Sequence, residues 1–403
     1  MKYDVVIVGA GPAGSTAAKF LSEDGFKVFL IDKDRFPRDK PCGGGLPIRV
    51  LKRFKYIREN DLIESYLFGG FVHSPSLKYK VQVQKDEPVL AMVLRKKFDF
   101  GLVKLAIDNG AVFSDGKTVK DVKISKNKVE VIFGDGTGVD SQVVIGADGV
   151  RSIVSKKLGL HQGRNRFSIC VFQEYNVGEE TLDRFFGENR CGHIHTRVGG
   201  IAGYGWVFPK KQHLNIGIGQ RGQHRIKTNL LDVYKNYIKT LEKQRIIPEN
   251  LGLGRYMGGS IPGAPLEKTY ANRGVVIGDA AGLVNPMSGE GIHYAMYSAE
   301  IAAQVITESL EIDDTSEQFL SKYEVNWKKE FGKDIEILLR PSKKQDLKQV
   351  EKTEKLVKFA SRDKKLADLV FKMLLTDQLN VQDYKWKILR CYLCGAFRDL
   401  FIK

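Results

Sequence analysis

Glycines 9, 11 and 14 in Gly9-Ala10-Gly11-Pro12-Ala13-Gly14 follow an apolar, β-branched run and open an alanine-rich one, YDVVIVGAGPAGSTAAKFL. That spacing suits a pyrophosphate. Gly9 permits a tight turn, Gly11 lets the backbone approach phosphate oxygens, and Gly14, beside Ala13, allows a helix to pack closely on a strand. The start of that helix offers unpaired N–H groups and the positive end of its dipole. A second apolar run, KVFLIDKD, ends at Asp32 and Lys33. An acid about 20 residues past the glycines can accept hydrogen bonds from an adenosine ribose, and Lys33 beside it is a further expected cofactor contact. NAD and FAD would both fit this much.

Two later segments decide between them. VVIGADGVRS is an apolar run ending in Ala147-Asp148-Gly149, and GVVIGDAAGLVNPMSGEGIHYAM is another ending in Gly278-Asp279, followed by a turn with Pro286, Gly289 and Gly291 and a helix from Ile292. The second resembles the segment with which flavoenzymes of the glutathione-reductase type bring an aspartate to the ribityl hydroxyls and a helix start towards the pyrimidine edge of the flavin. A helix start there stabilises anionic reduced flavin. The expected cofactor is therefore FAD, with Asp148, Asp279, Gly289, Gly291 and Ile292 among its contacts. Arg95, ahead of a helix that carries Asp99, resembles the arginine with which this class meets FAD. The stretch from Lys117 to Gly149 alternates like strands around a Gly-Asp-Gly turn, an excursion in which Val119 is the expected adenine neighbour.

Pro41-Cys42-Gly43-Gly44-Gly45-Leu46 comes after the second strand and is expected to start a helix rich in basic residues. Three consecutive glycines carry a cost in backbone entropy, which suggests very close approach to a ligand, with Cys42 beside it. Together with ADGVRS, YGWVFPK from Tyr204 to Lys210 and GDAAGLVNPMSGEGI, this loop resembles the geranylgeranyl reductase family, over residues 1 to about 310. The resemblance implies an α/β fold (α+β over the whole chain): an FAD-binding, Rossmann-like domain of the aromatic-hydroxylase type with an inserted antiparallel-sheet substrate domain. The expected division is 1–75, 90–160 and 270–310 for the FAD domain, 76–89 and 161–269 for the substrate domain, and 311–403 for a helical carboxy-terminal region. Tyr204, Trp206 and Phe208 alternate and so share one face of a strand. Ordinary core packing is one reading of that stripe, and the resemblance makes it a wall for a prenyl chain.

The implied reaction is saturation of isolated C=C bonds in geranylgeranyl chains. It needs a hydride, which reduced FAD supplies, and a proton, for which Cys42 is the first candidate and Tyr204 the second. No separate NAD(P)H domain is evident, so a reduced ferredoxin or a transiently docking NAD(P)H is the expected donor. An FAD-dependent aromatic monooxygenase would share the glycine motifs but has no use for PCGGG. A flavin-binding electron carrier at the membrane surface is the non-enzymatic alternative.

The chain has 403 residues, 42% hydrophobic and 28% charged, with a formal charge of +16. That is enough for two domains sharing one cofactor cleft. Lysines are dense after Lys322, in runs that alternate with acids and apolar residues as helix faces do. Most of this reads as solvated helix surface, with docking to an anionic membrane the next reading and nucleic acid not favoured. The first apolar run reads as a strand rather than a signal peptide, and no run approaches the roughly 18 apolar residues of a membrane span, so a cytoplasmic location, with peripheral membrane contact, is expected. Five scattered cysteines make no disulfide framework, and Cys391 and Cys394 read as packed thiols of a terminal helix. His193 and His195 alternate on a strand with no third ligand in view, so they read as structural and no metal is expected.

Overall fold

The computed structural model describes residues 2–161, 167–221, 229–251, 254–342 and 347–372. The chain divides into two compact units. Met1–Lys40, Arg95–Phe167 and Ile261–Glu336 form the first, and Pro41–Leu94, Ser168–Ser260 and Ile337–Lys403 the second. This differs from the expected division, in which 41–75 stood with the FAD domain and 311–403 apart. The reason is strand pairing: Gly45–Pro47 and Ser65–Leu67 both pair with Leu90–Met92, and Gly69–His73 pairs with Cys191–Thr196. Cys391 and Cys394 lie outside the described residues.

In the first unit, Lys2–Val8 pairs in parallel with Val28–Ile31 on one side and Gly138–Gly146 on the other. Val112–Ser114 extends the sheet beyond Val28–Ile31, and Gly274–Val276 extends it beyond Gly138–Gly146, again in parallel. Val5, Val6, Ile7, Leu30 and Ile31 are fully buried, as continuous apolar runs are in a parallel sheet covered on both faces. The Pro12–Glu23 helix lies between the helices Arg95–Asp108 and Ile292–Glu311. The excursion is there as expected: Val119–Ile124, Val129–Phe133 and Gly138–Gly146 form an antiparallel meander.

A seven-stranded sheet organises the second unit, in the order Met257–Pro262, Phe167–Asn176, His213–Gln220, Gly203–Pro209, Cys191–Thr196, Gly69–His73, Lys80–Gln84. From Phe167–Asn176 to Lys80–Gln84 the neighbours are antiparallel except for Cys191–Thr196 with Gly69–His73, which is parallel. Leu230, Val233, Tyr234, Tyr237 and Leu241, spaced for one helix face, bury that side of Leu230–Lys243 in a core with Val207, Leu214, Ile216 and Ile218 of the sheet. Asn229 starts the helix by accepting the Leu231 N–H at 3.0 Å. The opposite face of the sheet is paved with glycine. A Cβ on Gly217 would lie 2.2 Å from the Trp206 ring and 2.5 Å from Phe172, so the indole rests directly on backbone.

The lysine-rich carboxy-terminal part is helical over Leu347–Ala360 and Lys364–Phe371. Both helices pack against the Lys80–Gln84 edge strand. Glu354 accepts from the Ser74 hydroxyl at 3.0 Å and the Ser76 N–H at 2.9 Å, and Asp368 pairs with Lys85 at 2.6 Å. Among the described residues, no helix is long and apolar enough to cross a membrane.

The glycine paving gives a stability test. Gly217→Ala should lower the unfolding free energy by about 1–3 kcal/mol through overpacking against Trp206. Gly134→Ala, whose Cβ would meet only the Thr118 carbonyl oxygen at 3.7 Å, serves as comparison. Equal urea midpoints for the two variants would contradict this packing.

Candidate functional site

The three fingerprint glycines serve different ends in the first unit. Gly9 has φ +102°, and a Cβ there would lie 2.3 Å from the Ala147 carbonyl oxygen; one on Gly14 would lie 1.8 Å from the Gly9 carbonyl oxygen. Both are required by the protein's own backbone. A Cβ on Gly11 would meet only an Arg38 guanidinium nitrogen, at 3.9 Å. Room remains at that position for a ligand, in front of the helix that starts at Pro12.

Asp32 is buried, with Oδ2 accepting from the Ala10 N–H at 2.7 Å and Oδ1 from the Asp34 N–H at 2.9 Å. A carboxylate has about four acceptor positions, so ribose hydroxyls could still be received there. Lys33 is exposed next to it. Arg95 begins its helix and grips Asp99 with two bonds of 2.7 Å, and Arg38 Nη1 donates to the same carboxylate at 2.9 Å. Asp99 is fully buried, so a single anion orients two guanidinium groups. Lys40 adds a third cation; its pKa is lowered, first by desolvation of the ammonium, then by Arg95 and Arg38, while Asp279 and Asp99 oppose the shift. Asp34, exposed, also lies 3.8 Å from Arg38, and the three cations gathered near Gly11 are the side chains that would face a pyrophosphate.

The two later strand ends are joined to this cradle. A Cβ on Gly278, at φ +55°, would lie 3.1 Å from the Ala13 side chain and 3.2 Å from Ala295. Asp279 is half-buried in the turn Gly278–Ala281, and its Oδ1 would lie 3.1 Å from a Cβ on Gly291, the residue that caps the helix Ile292–Glu311. Gly289 takes φ +74°, which favours glycine, and Asn285 fixes the turn by accepting the Met287 N–H at 2.8 Å. Ile292 is buried at the helix start.

Two expected contacts also have tasks within the fold. Asp148 caps the short helix Ile153–Lys157, accepting from the Ile153 N–H at 2.6 Å and Val154 at 3.2 Å, and burial raises its pKa above the ordinary aspartate value. Val119 is buried opposite Phe133 at a bulge of the meander, a packing position.

In the second unit, Gly45–Pro47 forms a short strand before the helix Ile48–Arg53, where a helix alone was expected. The glycine run approaches protein. A Cβ on Gly43 would lie 3.3 Å from Phe208 and 3.5 Å from the Trp206 indole nitrogen, and one on Gly44, at φ +81°, 2.2 Å from the Val93 carbonyl oxygen. Gly45 is less confined, with Leu90 at 3.9 Å. Cys42 is half-buried; its Sγ accepts the Gly44 N–H at 3.3 Å and its carbonyl accepts from Asn215 at 3.2 Å.

Asn215 belongs to a polar network that spacing did not disclose. Its Oδ1 accepts from the Trp206 indole at 2.6 Å, and its amide donates at 2.8 Å to Glu174 Oε2, which also receives Lys210 at 2.9 Å. Lys210 is almost fully buried, so the ion pair is desolvated and either partner alone would be an uncompensated charge. Tyr204, Trp206 and Phe208 share a face as expected. Trp206 is buried among protein groups, while Tyr204 and Phe208 are half-buried.

A family model described as an FAD binding domain matches residues 2–236. The chain is 33% identical over 332 residues to a digeranylgeranylglycerophospholipid reductase of Methanocaldococcus jannaschii, spanning 81% of this chain and 82% of the relative. It is 30% identical over 357 residues to digeranylgeranylglycerophospholipid reductase 2 of Methanopyrus kandleri, spanning 85% and 86%. A solved structure of a geranylgeranyl bacteriochlorophyll reductase-like protein from Thermoplasma acidophilum superposes with a TM-score of 0.76 at 26% identity, covering 97% of this chain and 95% of that one. The flavin-dependent halogenase CmlS shares the fold, with a TM-score of 0.65 at 22% identity, over 82% of this chain and 62% of its own.

The cofactor is FAD, and the cradle fits it. Arg38, which the sequence did not single out, is a candidate phosphate contact by its place beside Gly11. Arg38→Gln should weaken FAD binding roughly 10-fold or more, as loss of a charge-assisted hydrogen bond does, and make it less sensitive to salt. Fluorescence titration of the apoprotein reads both, and unchanged affinity would place Arg38 off the phosphates.

Proposed function

The chain belongs to the family of digeranylgeranylglycerophospholipid reductases, and from that membership we propose that it saturates isolated C=C bonds in the geranylgeranyl chains of an ether lipid. The observation that carries the reading is likeness to named reductases along more than four-fifths of the chain. It is supported by the room left at Gly11, the free acceptor positions of Asp32 and the Asp279 turn beside the Ile292–Glu311 helix start.

Bound and reduced, FAD supplies the hydride. The chain must supply the rest: enclosure of an apolar tail, and a proton for the second alkene carbon. Cys42 is the proposed donor. Its thiol proton goes to carbon as the hydride arrives at the neighbouring carbon, and the thiolate is reprotonated from water. The Gly44 N–H bonded to Sγ orients the sulfur, and Asn215, held by Glu174 and Trp206, fixes the loop through the Cys42 carbonyl. These are positioning residues. Tyr204 and Phe208, half-buried on the glycine-paved face, are the proposed contacts for the prenyl tail, with Trp206 as their support.

Electrons would come from a reduced ferredoxin or from NAD(P)H. The charge of +16 favours an acidic carrier and also contact with anionic head groups at a membrane surface, consistent with a cytoplasmic, peripheral protein.

The test is product mass. Chemically reduced protein given a geranylgeranyl ether lipid without oxygen should add about 2 Da per double bond, by the stoichiometry of hydride and proton transfer. A gain of about 16 Da with oxygen would mean hydroxylation, and no change under either condition would mean a carrier. Cys42→Ser should keep bound FAD and lose most turnover. Full turnover in that variant would remove Cys42 from the chemistry.

A further inference from the structure

His193 and His195 stand two residues apart on Cys191–Thr196 and so face the same way. The parallel neighbour strand Gly69–His73 ends on a third histidine, and the register sets His73 directly beside His195. One ligand atom from each of the three lies within 4.8 Å of the other two. They sit on the helix-covered side of the sheet, where Tyr237 of Leu230–Lys243 reaches His195 Nδ1 at 2.7 Å.

The distances suit an ion. His73 Nε2 and His193 Nδ1 share a hydrogen bond at 3.1 Å, and an ion would take the place of the proton between them. Two imidazole nitrogens bound tetrahedrally to zinc at roughly 2.0–2.1 Å would be separated by about 3.3 Å. His195 is fully buried, and its Nε2 has no hydrogen-bond partner. With the proton on Nδ1 facing the Tyr237 oxygen, Nε2 carries a bare lone pair, and an outer partner on the other nitrogen is the usual arrangement for a metal-binding histidine. The rings lie nearly parallel, 16° apart or less, so closing on an ion turns them about χ2. Against this stands Lys80, whose ammonium lies 5.5 Å from the centre of the Phe71 ring and repels a cation; the imidazole donors must outweigh it.

We propose that His73, His193 and His195 form a three-imidazole site for a divalent transition ion, zinc foremost, which clamps the parallel strand pair and keeps a fourth position for water. Neutral imidazole selects zinc and its neighbours over magnesium or calcium, which prefer oxygen ligands. A strand scaffold holds the Cβ positions, so only ring rotation is needed.

Full-length protein carrying bound FAD and no histidine tag, stripped with a chelator, is titrated with Zn2+ by calorimetry and with Co2+ by visible absorption. The expected result is one ion per chain, an intense tetrahedral Co2+ spectrum, and a higher melting temperature with Zn2+. His193→Gln should weaken binding at least ~100-fold, since loss of an outer partner alone typically costs 10–100-fold, whereas His213→Gln should not change it. The zinc-edge X-ray absorption of the loaded wild type counts imidazoles and needs no variant. Three imidazoles support the site; fewer than three, no Co2+ spectrum, or Zn2+ binding unaffected by His193→Gln would overturn it.

Discussion

In the first unit, strand ends must come together closer than any side chain would allow. Gly9 gives its Cβ position to the Ala147 carbonyl, Gly14 to the Gly9 carbonyl, and Gly278 to Ala13 and Ala295. The first strand, the strand before Asp148 and the strand before Asp279 can therefore end beside one another, with the starts of the Pro12–Glu23 and Ile292–Glu311 helices among them. Each of those starts concentrates unpaired N–H groups, and the two together favour an anionic ligand that spans them.

Charge completes what sterics begins. Asp99, buried in its helix, holds Arg38 and Arg95 in fixed positions, while Lys40 adds charge that is not neutralised within the cluster. The phosphates of a dinucleotide are the proposed counter-charge. The chain then runs from Lys40 through Pro41 to Cys42, so the residues nearest in sequence to the phosphate cluster carry the proposed chemistry. Cys42 is held within its own unit by Asn215, Glu174 and Lys210, a buried network that depends on every member.

The cofactor and the sheet classes were legible because glycine spacing, strand-end acids and period-two alternation are local signals. Arg38 was not, since RFPRDK reads as an ordinary basic loop until Asp99, 61 residues on, is folded against it. Glu174 and Asn215 come from two strands and Lys210 from the turn after a third, and His73 lies 120 residues from His193; nothing local relates them. Asp148 and Gly43 show the converse. Their motifs were read as ligand contacts, and in the fold one also caps a helix while the other also yields space to aromatic rings, because a glycine or an acid at a strand end serves the fold by the same geometry that would serve a cofactor.

In the proposed reaction, electrons pass from reduced FAD to an isolated alkene. Its most direct test is to photoreduce the protein without oxygen, mix it with a geranylgeranyl ether lipid and follow the visible absorbance of the flavin. Oxidised flavin should return before any oxygen is admitted, with one flavin reoxidised per double bond saturated. Flavin that stays reduced beside the lipid and recovers only when air enters would contradict it.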